Sequence, residues 1–277
     1  MKALFLIFLL LFQLYPDLSQ AAARIPAKSA ILVDMDSGKV LYEKNADQPI
    51  PPASLTKIMT MYLALDMVGA KKVSLNKKFT VRSSAATVGG SSMHLARGEK
   101  VPLVRLLSGM AVVSGNDAAM AVAEGIGGDC RKFVNAMNRK ARQLGLAKTR
   151  FKNPTGLPAA GQKTSARDMM KLCRSYLAVH PEAARFHKTI HLVHRGTALR
   201  NTNALLGNVP GVDGLKTGWT VASGYNMVVT AKRGKTRLLA VVLGANTKEA
   251  RSIAARTMIE TGFRLAAKPS AIKLALK

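Results

Sequence analysis

The sequence predicts an α+β fold. An antiparallel β-sheet built from both chain ends and flanked by helices carries an inserted, mainly helical subdomain over about residues 73–200. Three observations lead there. Strand-like runs lie near the start (residues 29–34 and 39–43) and near the end (211–218, 224–232 and 236–244). The sequence between them has helical spacing of its apolar residues, and a last helical stretch follows at 247–267.

In chain order, residues 1–23 read as a signal peptide. Met1 and Lys2 precede an apolar run over 3–14, and the small residues Ser19, Ala21, Ala22 and Ala23 place cleavage near Ala21 or Ala23. A dozen or so apolar residues fall short of the roughly 20 that span a bilayer, so an uncleaved anchor is the lesser alternative. The remainder, 24–277, is expected to be a single domain outside the cytoplasm, with no stable transmembrane anchor after cleavage. Residues 29–34 and 39–43 are strands joined through Asp36-Ser37-Gly38. Pro51 and Pro52 then disfavour helix before them, and Ser54 opens a helix that is apolar nearly all round and therefore buried. Residues 101–113 and 117–126 are apolar helical runs, and 131–144 sets Phe133, Met137 and Leu144 among charges. Asn153-Pro154-Thr155-Gly156-Leu157 marks a turn, and 164–176 resumes helix with Thr164 or Ser165 as its cap. After Asn208 the period becomes two, with Arg233-Gly234-Lys235 as a hairpin turn. The final helix has Ile253, Met258 and Phe263 as apolar points.

The chain has 277 residues, 48% of them hydrophobic, enough for a substantial core. Its net charge of +27, from 42 Lys and Arg against 15 Asp and Glu, would attract nucleic acid, anionic lipid or an acidic envelope polymer. The leader favours the envelope. Aromatics are only 5%, without the basic-aromatic platform that stacks bases, so no nucleic acid partner is expected. Cys130 and Cys173 either close a loop of about 43 residues or stand as separate buried thiols, the reading preferred here. His187, His191 and His194 lie close together without an accompanying acid or a His-Glu-x-x-His pattern, so neither metal nor cofactor is expected.

Three short stretches carry candidate chemistry. Ser54 and Lys57 share a helix face, which sets a hydroxyl beside an amine at the positive end of a helix dipole. The same Ser-x-x-Lys spacing recurs at Ser74 to Lys77 and Ser270 to Lys273, in polar surroundings. Ser114-Gly115-Asn116 lies between two helical runs, where alone it is an ordinary connection. Lys216-Thr217-Gly218-Trp219 lies in a strand, where alone it offers a solvated lysine and glycines that let another backbone approach.

Taken together, Ser-x-x-Lys, Ser-Gly-Asn and Lys-Thr-Gly in this order resemble the active-site set of the penicillin-recognising serine enzymes. More closely, the chain resembles the serine-type D-Ala-D-Ala carboxypeptidases, the low-molecular-mass penicillin-binding proteins. The likeness includes Ile31-Leu32-Val33-Asp34 with Gly38, Ser92-Met93 with Leu95 and Gly98, Asp117-Ala118-Ala119, residues 153–157 and 164–169, Asn201-Thr202-Asn203, and 211–218. It implies a DD-peptidase/β-lactamase-like fold, peptidoglycan stem peptides as substrate, and β-lactam antibiotics as covalent inhibitors. It implies Ser54 as nucleophile, a neutral Lys57 as its base, Ser114 as proton relay and Asn116 as a holder of the substrate peptide. Backbone N–H groups of Ser54 and Trp219 would bind the oxyanion, with Gly218 allowing close approach. Lys216, Thr217 and Arg251 would bind the terminal carboxylate.

The leader places the protein in the periplasm or extracytoplasmic cell wall, where its basic charge suits anionic envelope polymers as further partners. The Glu-x-x-Leu-Asn stretch of class A β-lactamases is missing, and Glu182 lacks the partners to replace it. A cross-link endopeptidase of the same family is the alternative, and a non-catalytic basic wall binder a more distant one. Many relatives continue into a β-rich domain and an amphipathic anchor. No C-terminal β-rich domain is expected here, and residues 267–277 are too short for more than a weak basic contact.

Overall fold

The computed structural model describes residues 25–267. The leader, the basic tail and the Ser270 to Lys273 repeat lie outside the described residues. The sheet has the predicted construction from both chain ends. β1 (Ser29–Asp34) and β2 (Val40–Lys44) come from the start, and β7 (Val212–Thr220), β8 (Gly224–Arg233) and β9 (Thr236–Ala245) from the end. Their order is β2-β1-β9-β8-β7, with every neighbouring pair antiparallel. β7 is therefore an edge strand. Between the two groups run α1 (Thr56–Gly69), β3 (Lys78–Thr80), α2 (Ser83–Ala86), β4 (Lys100–Pro102), α3 (Leu103–Val112), α4 (Asn116–Gly127), α5 (Cys130–Gln143), α6 (Ala166–Val179), α7 (Ala184–His187), β5 (His191–His194) and β6 (Thr197–Arg200). Helix α8 (Lys248–Ala267) closes the described chain. None of the described helices is long and apolar enough to cross a membrane.

Alternation along the strands divides the core between the two sheet faces. Ala30, Leu32, Val229, Leu238, Ala240 and Val242 pack with Met258 and Ile259 of α8. Ile31, Val33, Val228, Leu239 and Val241 belong to the larger cluster that includes Met59 and Tyr62 of α1 and Met169 of α6. Helix α1 is buried around most of its circumference, as its all-round apolarity predicts.

Three expectations need correction. The apolar run 101–113 starts as strand β4 and turns helical only at Leu103. Pro102 has no N–H to give and keeps the residue before it out of the helical region. Two small ribbons, β3–β4 and β5–β6, interrupt the helical region. Ile253 is 60% exposed, because α8 turns Ala254, Ala255, Met258 and Ile259 toward the sheet instead. Cys130 and Cys173 are separate free thiols, and burial pushes the Cys173 thiol up.

Candidate active site

The site begins where the chain enters α1. Residues Ala53–Leu55 form a single 3₁₀ turn that runs directly into the helix at Thr56, so Ser54 precedes Lys57 by one turn on the same face. The turn is held from two sides. Asn226, fully buried on β8, donates its amide to Pro51 O at 3.0 Å and accepts from Gly244 N at 2.8 Å, which ties the turn to the sheet. Gly156, at φ +85°, lies so close to the Ala53 carbonyl that a Cβ there would overlap it.

Lys57 is completely buried, and its Nζ has three neighbours: Ser54 Oγ at 2.9 Å, Asn116 Oδ1 at 2.7 Å and the Thr155 carbonyl at 2.7 Å. Asn116 is oriented by its other amide atom, since Nδ2 donates to Gly89 O at 2.7 Å and leaves the oxygen for the lysine. Burial holds the Lys57 amine well below its ordinary 10.5; the nearby Lys216 pushes it the same way and Asp117 opposes. A neutral amine has two N–H donors and one lone pair. In that neutral form, with Asn116 and Thr155 taking the two donors, the lone pair would face the Ser54 hydroxyl 2.9 Å away.

Asn153 accepts from Thr155 Oγ1 at 3.0 Å and from Gly156 N at 2.7 Å, a side-chain turn that directs the Thr155 carbonyl to Lys57. Sequence reasoning recognised residues 153–157 as a turn and missed this contact, because a carbonyl leaves no side-chain signature. Asn226 was also missed, although a polar residue within a buried apolar strand was the available signal. Ser114, at φ +64° and 5% exposed, opens the turn that leads to Asn116, and its hydroxyl makes no hydrogen bond among the described residues.

Strand β7 runs beside the same turn. A Cβ on Gly218 would sit 2.9 Å from Ser54 N and 3.2 Å from Ala53 Cβ, so only glycine permits the approach. Lys216 is 1% exposed rather than solvated, and Nζ donates to Thr217 O at 2.8 Å. Burial, aided by the charge of Arg251, lowers its pKa to about 7. The Thr217 hydroxyl donates to Thr202 Oγ1 at 2.8 Å. Arg251, from the first turn of α8, is 4% exposed, and its Nε and Nη2 have no hydrogen-bond partner among the described residues. A buried guanidinium beside a buried lysine is costly until an anion joins them. Trp219 is 53% exposed beside the Tyr225 ring at 5.7 Å.

The structure thus brings Ser54, Lys57 and Asn116 into direct contact and sets Gly218 against the Ser54 backbone. Lys216 and Arg251 form a cationic pair next to Thr217, while Ser114 and Trp219 stand apart from these bonds. A cavity of about 340 Å³ lined by Pro51, Gly156, Pro158 and Thr220 adjoins the turn. A larger hollow of about 700 Å³ near Met35, Met170 and Arg174 contains none of these residues.

Comparison with known proteins gives this arrangement a family. Residues 17–247 match Peptidase_S11, described as D-alanyl-D-alanine carboxypeptidase. D-alanyl-D-alanine carboxypeptidase DacF of Bacillus subtilis is 41% identical over 242 residues, covering 86% of this chain and 62% of that protein. The D-alanyl-D-alanine endopeptidase of Pseudomonas aeruginosa is 32% identical over 255 residues, covering 88% of this chain and 80% of that protein. Among solved structures, penicillin-binding protein D2 from Listeria monocytogenes in its ampicillin-bound form superposes with a TM-score of 0.80 at 32% identity, covering 87% of this chain and 99% of that one. The chain spans 62% of the length of the Bacillus relative. With that agreement in sequence and in fold, the chain belongs to the D-alanyl-D-alanine carboxypeptidase family.

Proposed function

We propose that the protein is a serine-type D-Ala-D-Ala carboxypeptidase that trims peptidoglycan stem peptides outside the cytoplasm. Ser54 Oγ attacks the carbonyl of the penultimate D-alanine while Lys57 takes its proton. The oxyanion is met by the backbone N–H groups of Ser54 and Trp219. Collapse breaks the peptide bond, the departing D-alanine amine takes a proton relayed through Ser114, and water then hydrolyses the Ser54 ester. Asn116 holds the substrate's peptide group, and Lys216, Thr217 and Arg251 hold its terminal carboxylate.

The observation that carries this reading is the buried Lys57 amine, 2.9 Å from Ser54 Oγ and bonded to Asn116 Oδ1 and the Thr155 carbonyl. β-Lactams would acylate the same serine, a reading supported by the ampicillin-bound relative. The net charge of +27 fits a protein working beside anionic envelope polymers.

The endopeptidase reading has its own support, since this chain covers 80% of the Pseudomonas endopeptidase. Free D-alanine released from a stem peptide ending in D-Ala-D-Ala, with a cross-linked dimer left intact, is the expected result. Cleavage of the dimer alone would move the assignment to endopeptidase.

Replacing Arg251 by methionine is expected to lower kcat/KM for a free-acid peptide about 10- to 100-fold, the size of a lost charged hydrogen bond. A peptide amidated at its C-terminus should be scarcely affected. The melting temperature should hold or rise, because the unpartnered buried guanidinium is gone. A pH profile gives a separate check. Lys216 sheds its proton as pH rises through about 7, so kcat/KM for the free acid should fall on that alkaline side, measured by initial rates. Bound carboxylate stabilises the charged lysine, so kcat at saturation should decline at higher pH than kcat/KM does.

A further inference from the structure

β7 ends the sheet, so the carbonyls along its free edge need donors from elsewhere. The structure supplies them from outside the motif residues. His187 Nδ1 lies 3.1 Å from Leu215 O, and Asn203 Nδ2 donates to Gly214 O at 3.3 Å. Asn201 in turn accepts from Asn203 N at 2.9 Å and donates to Thr189 O at 2.8 Å, which fixes the turn over residues 201–203. Thr202 of that turn accepts from the Thr217 hydroxyl.

His187 is the centre of this support. It ends α7, is 1% exposed, and its Nε2 lies 3.1 Å from the Tyr176 hydroxyl of α6. A carbonyl only accepts, so the ring proton sits on Nδ1, and Tyr176 must donate to Nε2. Burial lowers His187 to about 4 and raises Tyr176, which keeps both neutral and the tautomer single at neutral pH. A Cβ on Gly214 would come within 3.1 Å of His187 Cβ, so the β7 backbone rests directly on this side chain.

We propose that His187 is a positioning residue: its Nδ1–H, with the ring oriented by Tyr176, fixes the Leu215 carbonyl and with it the placement of Lys216 and Thr217 toward the substrate carboxylate. The proposal rests on the carboxylate-binding role assigned above to Lys216 and Thr217. It goes beyond that role by making recognition depend on a histidine that touches no substrate.

The test compares His187→Phe, which fills the space without a donor, with His187→Asn, whose amide nitrogen falls near the place of Nδ1. Two quantities are measured on the full chain: the ratio of kcat/KM for free-acid over amidated peptide, and amide hydrogen exchange of the β7 peptides. His187→Phe is expected to lower the ratio roughly tenfold or more, mainly through KM, and to speed β7 exchange, because misplacement by a fraction of an ångström is enough to lose such a contact. His187→Asn should keep both near the unsubstituted values. Wild-type ratio and wild-type exchange in His187→Phe would overturn the proposal. Should His187→Phe fail to fold, His187→Met, which also lacks a donor and packs more adaptably, is read the same way, an unchanged ratio and exchange again overturning it. If the unsubstituted protein shows no preference for the free acid, the carboxylate reading fails, and β7 exchange in the variants alone decides the role of His187.

Discussion

Ser54→Ala is expected to abolish covalent labelling by a fluorescent penicillin and to lower D-alanine release by roughly ten-thousandfold or more, the scale on which a covalent nucleophile contributes. No other hydroxyl stands in the same relation to Lys57 among the described residues: the amine's remaining neighbours are an amide oxygen and a backbone carbonyl. The fold should survive. Ser54 is half-buried and its side chain makes one hydrogen bond, to Lys57, worth about 1 kcal/mol. Circular dichroism and a melting curve, run beside the labelling gel, separate lost chemistry from lost structure. Retained labelling in a folded Ser54→Ala protein would remove Ser54 from the mechanism.

The second large effect concerns the base. Lys57→Met keeps an unbranched side chain, one atom shorter, while removing the amine, and acylation should slow about a thousandfold, in line with losing a positioned general base. Lys57→Arg separates two explanations of that loss. Arginine keeps a cation in the site and does not give up its proton at working pH, so it should be as inactive as Lys57→Met if the lysine acts as a base. Substantial activity in Lys57→Arg would mean that the residue acts through its charge. Rates of penicillin capture by stopped-flow give the comparison. Lys57→Met should cost some stability, because Asn116 Oδ1 and Thr155 O lose a shared donor, about 1–3 kcal/mol for each buried acceptor left unpaired.

The fold was legible where short-range pattern and long-range pairing agree. β1, β8 and β9 were found within a residue or two, since runs such as Leu238 to Leu243 are buried on both faces and the Gly234 turn joins the last two strands. β3–β4 and β5–β6 were not found. Three or four residues are too few to show an alternation, and their pairing is a tertiary fact. Pro102 did announce where α3 begins, and the apolar continuity of 101–113 outweighed it. For α8, Ile253 drew attention by its size, while the packing face mixes Met258, Ile259 and Leu265 with the small Ala254, Ala255 and Gly262, the last of which lies against Leu238 and Leu32.

The site divides in the same way. Ser54 and Lys57 could be paired from sequence because a spacing of three fixes neighbours on a helix. Lys216 taken alone read as a solvated edge-strand lysine. Its burial follows from what lies around it, with Arg251 arriving from α8 and the Ser54 turn pressing on Gly218. The Thr155 carbonyl could not be read at all, being a backbone atom aimed by Asn153. Asn201-Thr202-Asn203 was visible as a family-like stretch without a task. Only the structure shows it bracing the edge of β7.

Whether Lys57 is neutral in the free protein decides the account most directly. Lysine labelled with ¹³C at Cε, followed by NMR across about pH 5 to 10 and assigned with Lys57→Arg, reports its protonation. The account predicts a Lys57 resonance already in its neutral-amine position at neutral pH, with its midpoint well below the ordinary 10.5. A midpoint near 10.5, with Lys57 charged throughout the working range, would contradict it.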